Sequence, residues 1–415
     1  MSQSSSAEEL RSVKEREDAL MHALAKQVAH AQKSTKAFAK ILEGVDATTI
    51  NSRERLKTLP ITRKSDVLRL QQEHRHQNVF GGLASIEFGP DMPRVFASPG
   101  IIFEPQGKQP DYWRMSRGLR AAGFQAGDVV HNCFSYHFTP AGFMMDLAAR
   151  TLGCTVFPAG TGQTEQQVLT MVELQPTAYI GTPSFLRVLL ERAEELKKPI
   201  TSIQKAMVSG EALPESLRQW FSNKGIQVFQ MYGTADVGLI AYETSALLGM
   251  VVDEDIILEI VEPDTGEPMA EGDIGEVVVT TLNKDYPLIR YGTGDLSAVL
   301  PGQCPTGRTN MRIKGWLGRA DQTTKVRGMF VHPQHVSQII SDTPQVSKAR
   351  LVISGEMAND RMVLKVESTD ESAELKEKLT QNIRNVTKLR GEVEFVAAGT
   401  LSADGKLIED MRSYD

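Results

Sequence analysis

The chain has 415 residues, more than a single core normally supports, so we expect one large domain and one small one. Its 41% hydrophobic and 24% charged residues are typical of a soluble globular protein, and the lack of a sufficiently long apolar run excludes a transmembrane protein. With a formal net charge of −6, the whole chain has no electrostatic reason to bind nucleic acid, so we expect neither a membrane nor a nucleic acid partner.

The first residues, MSQSSSAEELRS, lack the basic start and apolar run of a secretory signal, so a cytoplasmic location is expected. Three cysteines are too far apart in sequence for a disulfide framework or a CxxC metal site, and we expect buried free thiols at Cys133, Cys154 and Cys304.

Residues 6–43 are predicted to be helical, because Ser6 and Glu9 form a capping-box pattern and apolar residues recur at helical spacing. From about residue 129 short β-rich runs alternate with helical ones, which predicts βαβ units and a largely parallel sheet. Ligands bind at the carboxyl ends of such strands, where this chain has small and charged residues in the loops 181–183, 209–211 and 232–236.

After about residue 250 strands replace helices, and one strand is expected to run through residues 288–291. The chain beyond about residue 320 has the pattern of a compact α+β module. We therefore predict an α/β fold with two domains, 1–319 and 320–415. The large N-terminal domain would contain the parallel βαβ sheet and a β-rich subdomain, and the small C-terminal domain would be mobile.

The order of motifs resembles the acyl-adenylate-forming (AMP-binding) superfamily, in particular its phenylacetate-CoA ligase-like branch. The resemblance covers most of residues 50–408 and is carried by LPITRKSD, TEQQVLTMVELQPTAYIGTPSF, MYGTADVG, VEPDTGEPMAEGDIGEVVVTTL, LIRYGTGDL, GRADQTTKVRGMFVHP and GTLSADGK. It implies that a carboxylic acid and ATP give acyl-AMP and pyrophosphate, and that coenzyme A then takes the acyl group. The expected cofactors are ATP/AMP, Mg²⁺ and coenzyme A. An aromatic acid substrate and a homodimer are further expectations from the resemblance.

Eight residues are expected to bind the nucleotide: Gly210, Glu211, Tyr232, Gly233, Thr234, Asp295, Arg319 and Lys325. A carboxylate accepts hydrogen bonds from both hydroxyls of a ribose, which suits Asp295 at the end of LIRYGTGD. In MYGTAD, Tyr232 would stack on adenine, Gly233 would let the backbone approach the α-phosphate, and Thr234 would offer a catalytic hydroxyl. The alternative is that Asp295 is a turn aspartate and that Gly233 merely marks a tight turn.

The resemblance assigns three further roles. Asp236 takes the position of a metal-binding glutamate, and Mg²⁺ accepts either acid as a hard oxygen ligand. Gly210 and Glu211 resemble the loop that contacts adenine, although a glutamate there is also typical of a helix start. Lys406 resembles the catalytic lysine, which would neutralise charge as the substrate carboxylate attacks the α-phosphorus. An ordinary surface lysine is the alternative.

The remaining assignments concern the C-terminal domain and the acid. Arg319 corresponds to a ribose contact, Asp321 to the hinge, and Lys325 to a loop used in the second half-reaction or, alternatively, to a basic hairpin edge. The acid pocket would lie along HNCFSYHFTPAG, where Tyr136, His137 and Phe138 could surround an aryl group or simply belong to the core.

The phosphate loop departs from the family pattern. Its place is taken by residues 95–107, where Ile101, Ile102 and Phe103 replace polar donors and Pro99 lacks an N–H. Together with Glu104, these changes should weaken triphosphate binding. Two alternatives to the ligase therefore stay open: an adenylate-forming or acyl-transfer enzyme that does not use coenzyme A, and a non-catalytic nucleotide-binding descendant.

Overall fold

The computed structural model describes residues 7–263, 265–320, 324–327, 329–331, 333–355, 360–402 and 406–412. The chain separates into two compact units, Met1–Leu317 and Gly318–Asp415. The domain boundary predicted between residues 319 and 320 lies close to this division and stays a prediction.

The first unit contains most of the secondary structure. Its helices are α1 (Ala7–Leu10), α2 (Val13–Ser34), α3 (Lys36–Ile41), α4 (Arg53–Leu56), α5 (Lys64–His74), α6 (Ser116–Ala121), α7 (Ala141–Thr151), α8 (Thr164–Leu174), α9 (Pro183–Glu195) and α10 (Glu215–Asn223), with a 3₁₀ turn at Ala47–Thr49. Its strands are β1 (Thr62–Arg63), β2 (Arg94–Ser98), β3 (Ile102–Gln106), β4 (Val129–Asn132), β5 (Thr155–Pro158), β6 (Ala178–Gly181), β7 (Lys205–Val208), β8 (Gln227–Thr234), β9 (Gly238–Glu243), β10 (Met250–Val252), β11 (Ile256–Val261), β12 (Gly275–Thr281), β13 (Tyr291–Ser297), β14 (Val299–Leu300) and β15 (Arg312–Ile313).

A nine-stranded mixed sheet forms the centre of this unit, in the order β14-β15-β10-β9-β8-β7-β6-β4-β5. Strands β8, β7, β6, β4 and β5 are parallel to one another, as the alternation of strands and helices predicts, whereas β8 pairs with β9 in antiparallel fashion. The helices start where their capping residues require: Thr182 accepts from the amide of Phe185, and Pro183 occupies the first turn of α9. The loops at the carboxyl ends of the parallel strands thus lie along one sheet edge.

A second sheet places β1, β13, β12 and β11 in that order, and β11 and β12 are buried along their whole length. Helix α2 buries Leu24 and Val28 in the same hydrophobic cluster as these strands. Arg16 of α2 also forms an ion pair of 2.9 Å with Glu254, which fixes the helix to this part of the unit.

The second unit has strands β16 (Gly318–Arg319), β17 (Thr324–Val326), β18 (Met329–Val331), β19 (Val346–Ser354), β20 (Arg361–Ser368), β21 (Glu392–Phe395) and β22 (Ile408–Asp410), and helices α11 (Pro333–Ser341) and α12 (Ala373–Thr387). Its main sheet has the order β21-β20-β19-β22, beside the β17-β18 hairpin. Val336, Ile339, Leu379 and Ile383 belong to the hydrophobic cluster that the two helices share with this sheet.

The predicted fold class is confirmed, with the parallel sheet, the β-rich region and the small α+β unit all present. The predicted helix over 6–43 is wrong in its continuity. It is three helices, because Ser12 and Thr35 each accept a hydrogen bond from a following amide and so begin a new helix. Ser6 lies outside the described residues.

The strand expected at residues 288–291 instead begins at Tyr291 and runs to Ser297. It pairs with β12 on one side and β1 on the other, so Asp295 lies within a strand and not after one.

Candidate active site

The segment that takes the place of the phosphate loop is a tight β-hairpin. Strands β2 and β3 pair in register from Arg94 with Gln106 to Ser98 with Ile102, which leaves only residues 99–101 for the turn. Ile101 has a φ of 59°, a strained value for a β-branched residue. A turn of this length presents few backbone N–H groups and cannot wrap around a triphosphate.

Side chains and backbone from other segments hold this hairpin in place. The Gln71 side chain of α5 both donates to the carbonyl of Phe103 and accepts from its amide, at 2.8 Å each. Arg75 donates to the carbonyl of Ile101 at 2.9 Å. On the other strand, the amide of Ala97 donates to the carbonyl of Phe138 at 2.9 Å. The hairpin is therefore fixed to α5 and to the loop after β4.

Glu104, Asp236 and the ammonium of Lys64 form what we call the carboxylate cluster. Strand β3 of this hairpin contributes Glu104 to it. Asp236, in the turn between β8 and β9, is 7% exposed and lies 3.3 Å from the Lys64 nitrogen through Oδ2. Glu104 of β3 is 1% exposed. Among the described residues, neither Glu104 oxygen nor Asp236 Oδ1 has a hydrogen-bond partner of normal geometry.

The electrostatics of Glu104 follow from this arrangement. Burial, reinforced by the negative charge of Asp236, raises the pKa of Glu104 to about 8. The Lys64 ammonium and the neighbouring Ser98 lower that pKa, but their effects are smaller. The fully buried phenol of Tyr291 lies beside Asp236, and burial and this charge raise the pKa of Tyr291. Two buried acids thus lie near one ammonium, which forms an ion pair with Asp236.

The oxygens of the carboxylate cluster are of the type that Mg²⁺ prefers. No group of three or more His, Cys, Asp or Glu residues in the described part of the chain could hold a metal ion. Mg²⁺ is usually bound by one or two carboxylates together with substrate phosphates and waters, so a larger protein cage is not required. The buried oxygens of Glu104 and Asp236 are therefore of a type that could contribute to a site for a divalent cation.

A second cluster, the ribose cluster, is formed by Tyr232, Thr293, Asp295 and Trp316. Asp295 is 6% exposed and accepts from the Tyr232 hydroxyl at 2.8 Å and from the Trp316 indole at 3.0 Å. Its amide donates to the Thr293 hydroxyl at 3.1 Å. The turn-aspartate alternative is therefore wrong for Asp295, since its carboxylate is held inside a sheet by two donors.

The residues after Tyr232 form the end of one strand and the start of the next. Strands β8 and β9 pair around a bulge between Tyr232 and Gly233, and a Cβ at Gly233 would lie 2.6 Å from the carbonyl of Gly238. Thr234 accepts from the amide of Val237 at 3.2 Å. A glycine is thus required at position 233 by close backbone packing, and the turn holds Thr234 and Asp236 side by side.

The predicted adenine loop follows β7. Gly210 has a φ of 80°, which favours glycine, and Glu211 accepts from the Ser184 hydroxyl at 2.6 Å. Ser184 lies at the start of α9, so two of the loops at the carboxyl ends of parallel strands are joined by this hydrogen bond.

Tyr136 and His137 line a cavity of about 300 Å³ together with residues of the loop after β5. This volume is at the lower end of small-molecule pockets. The Tyr136 hydroxyl accepts from Asn132 at 2.8 Å and donates to Asp146 at 3.3 Å. Phe138 is 82% exposed and does not line this cavity, so its predicted contact with the acid has no support from the geometry.

The other predicted residues belong to the second unit. Arg319 lies on β16, and Lys325 lies on β17. The backbone carbonyl of Lys325 accepts a hydrogen bond from the Arg412 side chain at 2.9 Å. Lys406 is exposed, and its carbonyl accepts from Arg350 at 3.1 Å. The predicted hinge residue Asp321 lies outside the described residues.

Sequence reasoning missed the partners that complete the two clusters. Glu104 was expected only to hinder phosphate, and Lys64 and Trp316 were not singled out. Strand alternation gives a signal for Glu104, because the hairpin places it on the same buried face as Ile102. No comparable signal exists for Trp316, which meets Asp295 through a contact across 21 positions.

Comparison with known proteins identifies relatives of the whole chain. The sequence family described as AMP-binding enzyme matches residues 111–283, and that of the AMP-binding enzyme C-terminal domain matches 328–409. A phenylacetate-coenzyme A ligase of Thermus thermophilus is 31% identical over 84% of this chain and 80% of the relative. One from Aromatoleum evansii is 30% identical over 87% of this chain and 84% of the relative.

Among solved structures, a 2-hydroxyisobutyryl-CoA ligase in complex with 2-HIB-AMP and CoA has a TM-score of 0.85. It is 21% identical, and the match covers 98% of this chain and 92% of that one, which shows a shared fold. None of the described helices combines the length and apolar character needed to cross a membrane.

Proposed function

This chain belongs to the family of AMP-binding enzymes, and from that membership we propose that it is an AMP-forming acid–CoA ligase. A carboxylic acid and ATP give acyl-AMP and pyrophosphate, and the thiol of coenzyme A then takes the acyl group and releases AMP. The observation that carries this proposal is the likeness to phenylacetate-coenzyme A ligases over 84% of the chain.

Asp295 is the proposed ribose ligand. Each carboxylate oxygen offers two lone pairs, and Tyr232 and Trp316 use one on each oxygen. We propose that this fixed carboxylate also accepts from the two vicinal hydroxyls of a ribose. Because both protein donors hold the carboxylate in one orientation, binding the ribose costs little side-chain entropy. Tyr232 contributes its hydroxyl in this arrangement, beside its proposed contact with adenine.

The turn after β8 is the proposed site of the α-phosphate. Gly233 admits close backbone approach, Thr234 offers a hydroxyl, and Asp236 is the proposed ligand of Mg²⁺. Bound there, the ion would neutralise phosphate charge. Gly210 and Glu211 would border the adenine.

Lys406 is the proposed catalytic cation of the second unit. An exposed ammonium can neutralise the charge that develops when the substrate carboxylate attacks the α-phosphorus. The hydrogen bond from Arg350 to the Lys406 carbonyl fixes the backbone from which this side chain extends. Arg319 is proposed to contact the ribose, Asp321 to act as the hinge, and Lys325 to serve thioester formation.

An aromatic acid is the proposed substrate, with Tyr136 and His137 at its pocket. Their cavity of about 300 Å³ suits a single ring better than a long acyl chain. Phe138 would act through its backbone, which holds the hairpin. We propose that the reaction takes place in the cytoplasm, where ATP and coenzyme A are available, and that the protein is a homodimer, as its resemblance to the acyl-adenylate-forming superfamily implies.

The decisive experiment supplies ATP, Mg²⁺, coenzyme A and a panel of aromatic and aliphatic acids, and measures pyrophosphate and thioester. We expect thioester with at least one aromatic acid. Lys406→Ala should lower pyrophosphate release by roughly 100-fold or more, since it removes a charge that acts in the transition state. If no acid yields pyrophosphate above this variant, the ligase proposal is wrong.

A second candidate function is supported by the three-residue turn between β2 and β3. An enzyme that receives an acyl-adenylate or another activated acyl donor would not need to hold a triphosphate. Calorimetry distinguishes the two, because this alternative predicts binding of AMP without binding of ATP in the presence of Mg²⁺.

A further inference from the structure

Glu104 is an unusual residue to find inside a protein. Its side chain is 1% exposed, and among the described residues neither carboxylate oxygen has a hydrogen-bond partner of normal geometry, although Ser98 lies beside it and lowers its pKa. Burying a carboxylate without a partner costs several kcal/mol, so such a group normally has a ligand or a counter-ion. The only cation of the carboxylate cluster, Lys64, forms its ion pair with Asp236.

The position of Glu104 is well fixed. Its neighbour Phe103 makes two hydrogen bonds to Gln71, and the turn is held by Arg75. Glu104 therefore cannot move outward without breaking the attachment of β3 to α5. The negative charge of Asp236 helps to raise the pKa of Glu104, so the two carboxyl groups are near neighbours.

The same hairpin that brings Glu104 inward lacks the usual phosphate donors. Its turn has only residues 99–101, one of which is a proline without an N–H. Hydrogen bonds from this turn cannot replace the hydration of the β- and γ-phosphates. Above the pKa of Glu104, which is about 8, two carboxylates with three orphaned oxygens are also a poor environment for a bare triphosphate, because like charges repel.

We propose that Glu104 and Asp236 together hold a divalent cation that carries the β- and γ-phosphates of ATP. The cation would reverse the sign of the local charge and satisfy the orphaned oxygens. The protein would thus bind the phosphates through a metal where a longer loop would bind them through its own N–H groups. This inference rests on the proposed function and adds Glu104 as a second protein ligand, supplied by the hairpin.

The test measures binding and needs neither an acid nor turnover. Calorimetry with α,β-methylene-ATP, whose α–β bond is not cleaved, is done at about pH 9, above the pKa of Glu104 of about 8, in Mg²⁺ and in EDTA with wild type and Glu104→Gln. For wild type we expect binding at least tenfold tighter in Mg²⁺ than in EDTA. In Glu104→Gln, affinity should fall roughly 10- to 100-fold in Mg²⁺ and rise in EDTA, where repulsion is relieved.

Two controls separate this effect from general damage. AMP, which has no β-phosphate, should bind Glu104→Gln and wild type equally. Glu73→Gln, on the exposed side of α5 where Glu73 contacts Arg69, should leave both affinities for the analogue unchanged. Asp236→Asn should resemble Glu104→Gln, because either carboxylate alone is a weaker site.

Several results would overturn the inference. If Glu104→Gln binds the analogue more tightly in both Mg²⁺ and EDTA, Glu104 only repels phosphate. An unchanged ratio between the two conditions would mean that Glu104 does not ligate the cation. Wild type that binds AMP but not the analogue in Mg²⁺ would also exclude it. The ligase proposal fails on a different result, the absence of pyrophosphate and thioester with every acid.

Discussion

The ribose cluster and the carboxylate cluster lie in the same unit, and both are built around a buried aspartate. Asp295 accepts from two protein donors, Tyr232 and Trp316, and its carboxylate is satisfied before any ligand arrives. One carboxylate oxygen of Asp236 forms an ion pair with the Lys64 ammonium. Neither carboxylate oxygen of the neighbouring Glu104 has a hydrogen-bond partner of normal geometry among the described residues. In the ribose cluster, protein donors alone satisfy the carboxylate, whereas the carboxylate cluster has more acids than cations.

This difference indicates how each cluster contributes to a ligand site. A satisfied carboxylate stabilises the fold and presents a preformed acceptor, so its removal should cost both stability and affinity. An unsatisfied pair of carboxylates destabilises the fold, and this loss of stability is reversed only when a cation binds. The comparison therefore predicts opposite signs for substitutions in the two clusters.

The largest effect is expected for Asp295→Ala. This change removes the Asp295 acceptor from the Tyr232 hydroxyl and from the Trp316 indole, and each lost hydrogen bond to a charged acceptor costs about 1–3 kcal/mol. We expect a loss of roughly 2–5 kcal/mol in the free energy of unfolding, together with loss of measurable AMP binding. Urea unfolding and calorimetry with AMP check the two parts.

Ser297→Ala is the matched control on the same strand. It removes a hydrogen bond of 2.6 Å from the Ser297 hydroxyl to the carbonyl of Gly315, so it should lower stability without changing AMP affinity. If Ser297→Ala abolishes AMP binding as fully as Asp295→Ala does, the assignment of Asp295 to the ribose loses its support.

A smaller effect of opposite sign is expected for Glu104→Gln in EDTA. The folded-state pKa of Glu104 is raised to about 8 from an ordinary value of 4.5. Between these values the folded protein binds more protons than the unfolded chain, so the Glu104 contribution to stability falls as pH rises. The glutamine does not titrate, and the variant should gain about 1–3 kcal/mol over wild type at pH 8 relative to pH 5.

Urea unfolding of both proteins at pH 5 and pH 8 measures this gain. A difference between variant and wild type that stays constant over this range would show that Glu104 is solvated and not part of a dry cluster. Glu73→Gln on the exposed side of α5 serves as the control and should change stability little at either pH.

The smallest effect is expected for Tyr232→Phe. The hydroxyl donates to Asp295 at 2.8 Å, and its loss leaves that carboxylate with Trp316 as a donor. We expect a loss of about 1 kcal/mol in the free energy of unfolding and a small change in AMP affinity, since the ring is retained. If Tyr232→Phe lowers the free energy of unfolding by more than Asp295→Ala does in the same assay, the expected order of the two effects is wrong.

Much of the fold follows from local sequence. The helices α7 to α10 and the strands between them follow the predicted alternation of strands and helices after residue 129, because apolar periodicity and caps such as Thr182-Pro183 act within a few residues. The break in the N-terminal helix also has a local cause, since Ser12 and Glu15 form a capping box. The regular apolar spacing across residues 20–31 predicts an uninterrupted helix and gives no sign of this break.

The strand β13 could not be located in the same way. Gly292 and Gly294 disfavour a strand locally, and only pairing with β12 and β1 makes one there. The candidate site shows the same limit. Asp236 and Asp295 were predicted from motifs, whereas the meeting of Glu104 with Asp236 joins two hairpins that are far apart in sequence, and no local pattern encodes it.

The attachment of the β2–β3 hairpin has a consequence for solubility. A two-stranded ribbon has two open edges, each of which can recruit a strand from another molecule. At its midpoint the Ala97 amide is taken by the Phe138 carbonyl, and both backbone groups of Phe103 are taken by the Gln71 side chain. Gln71 thus acts as a one-residue substitute for a third strand, and it protects this short ribbon from intermolecular β-pairing.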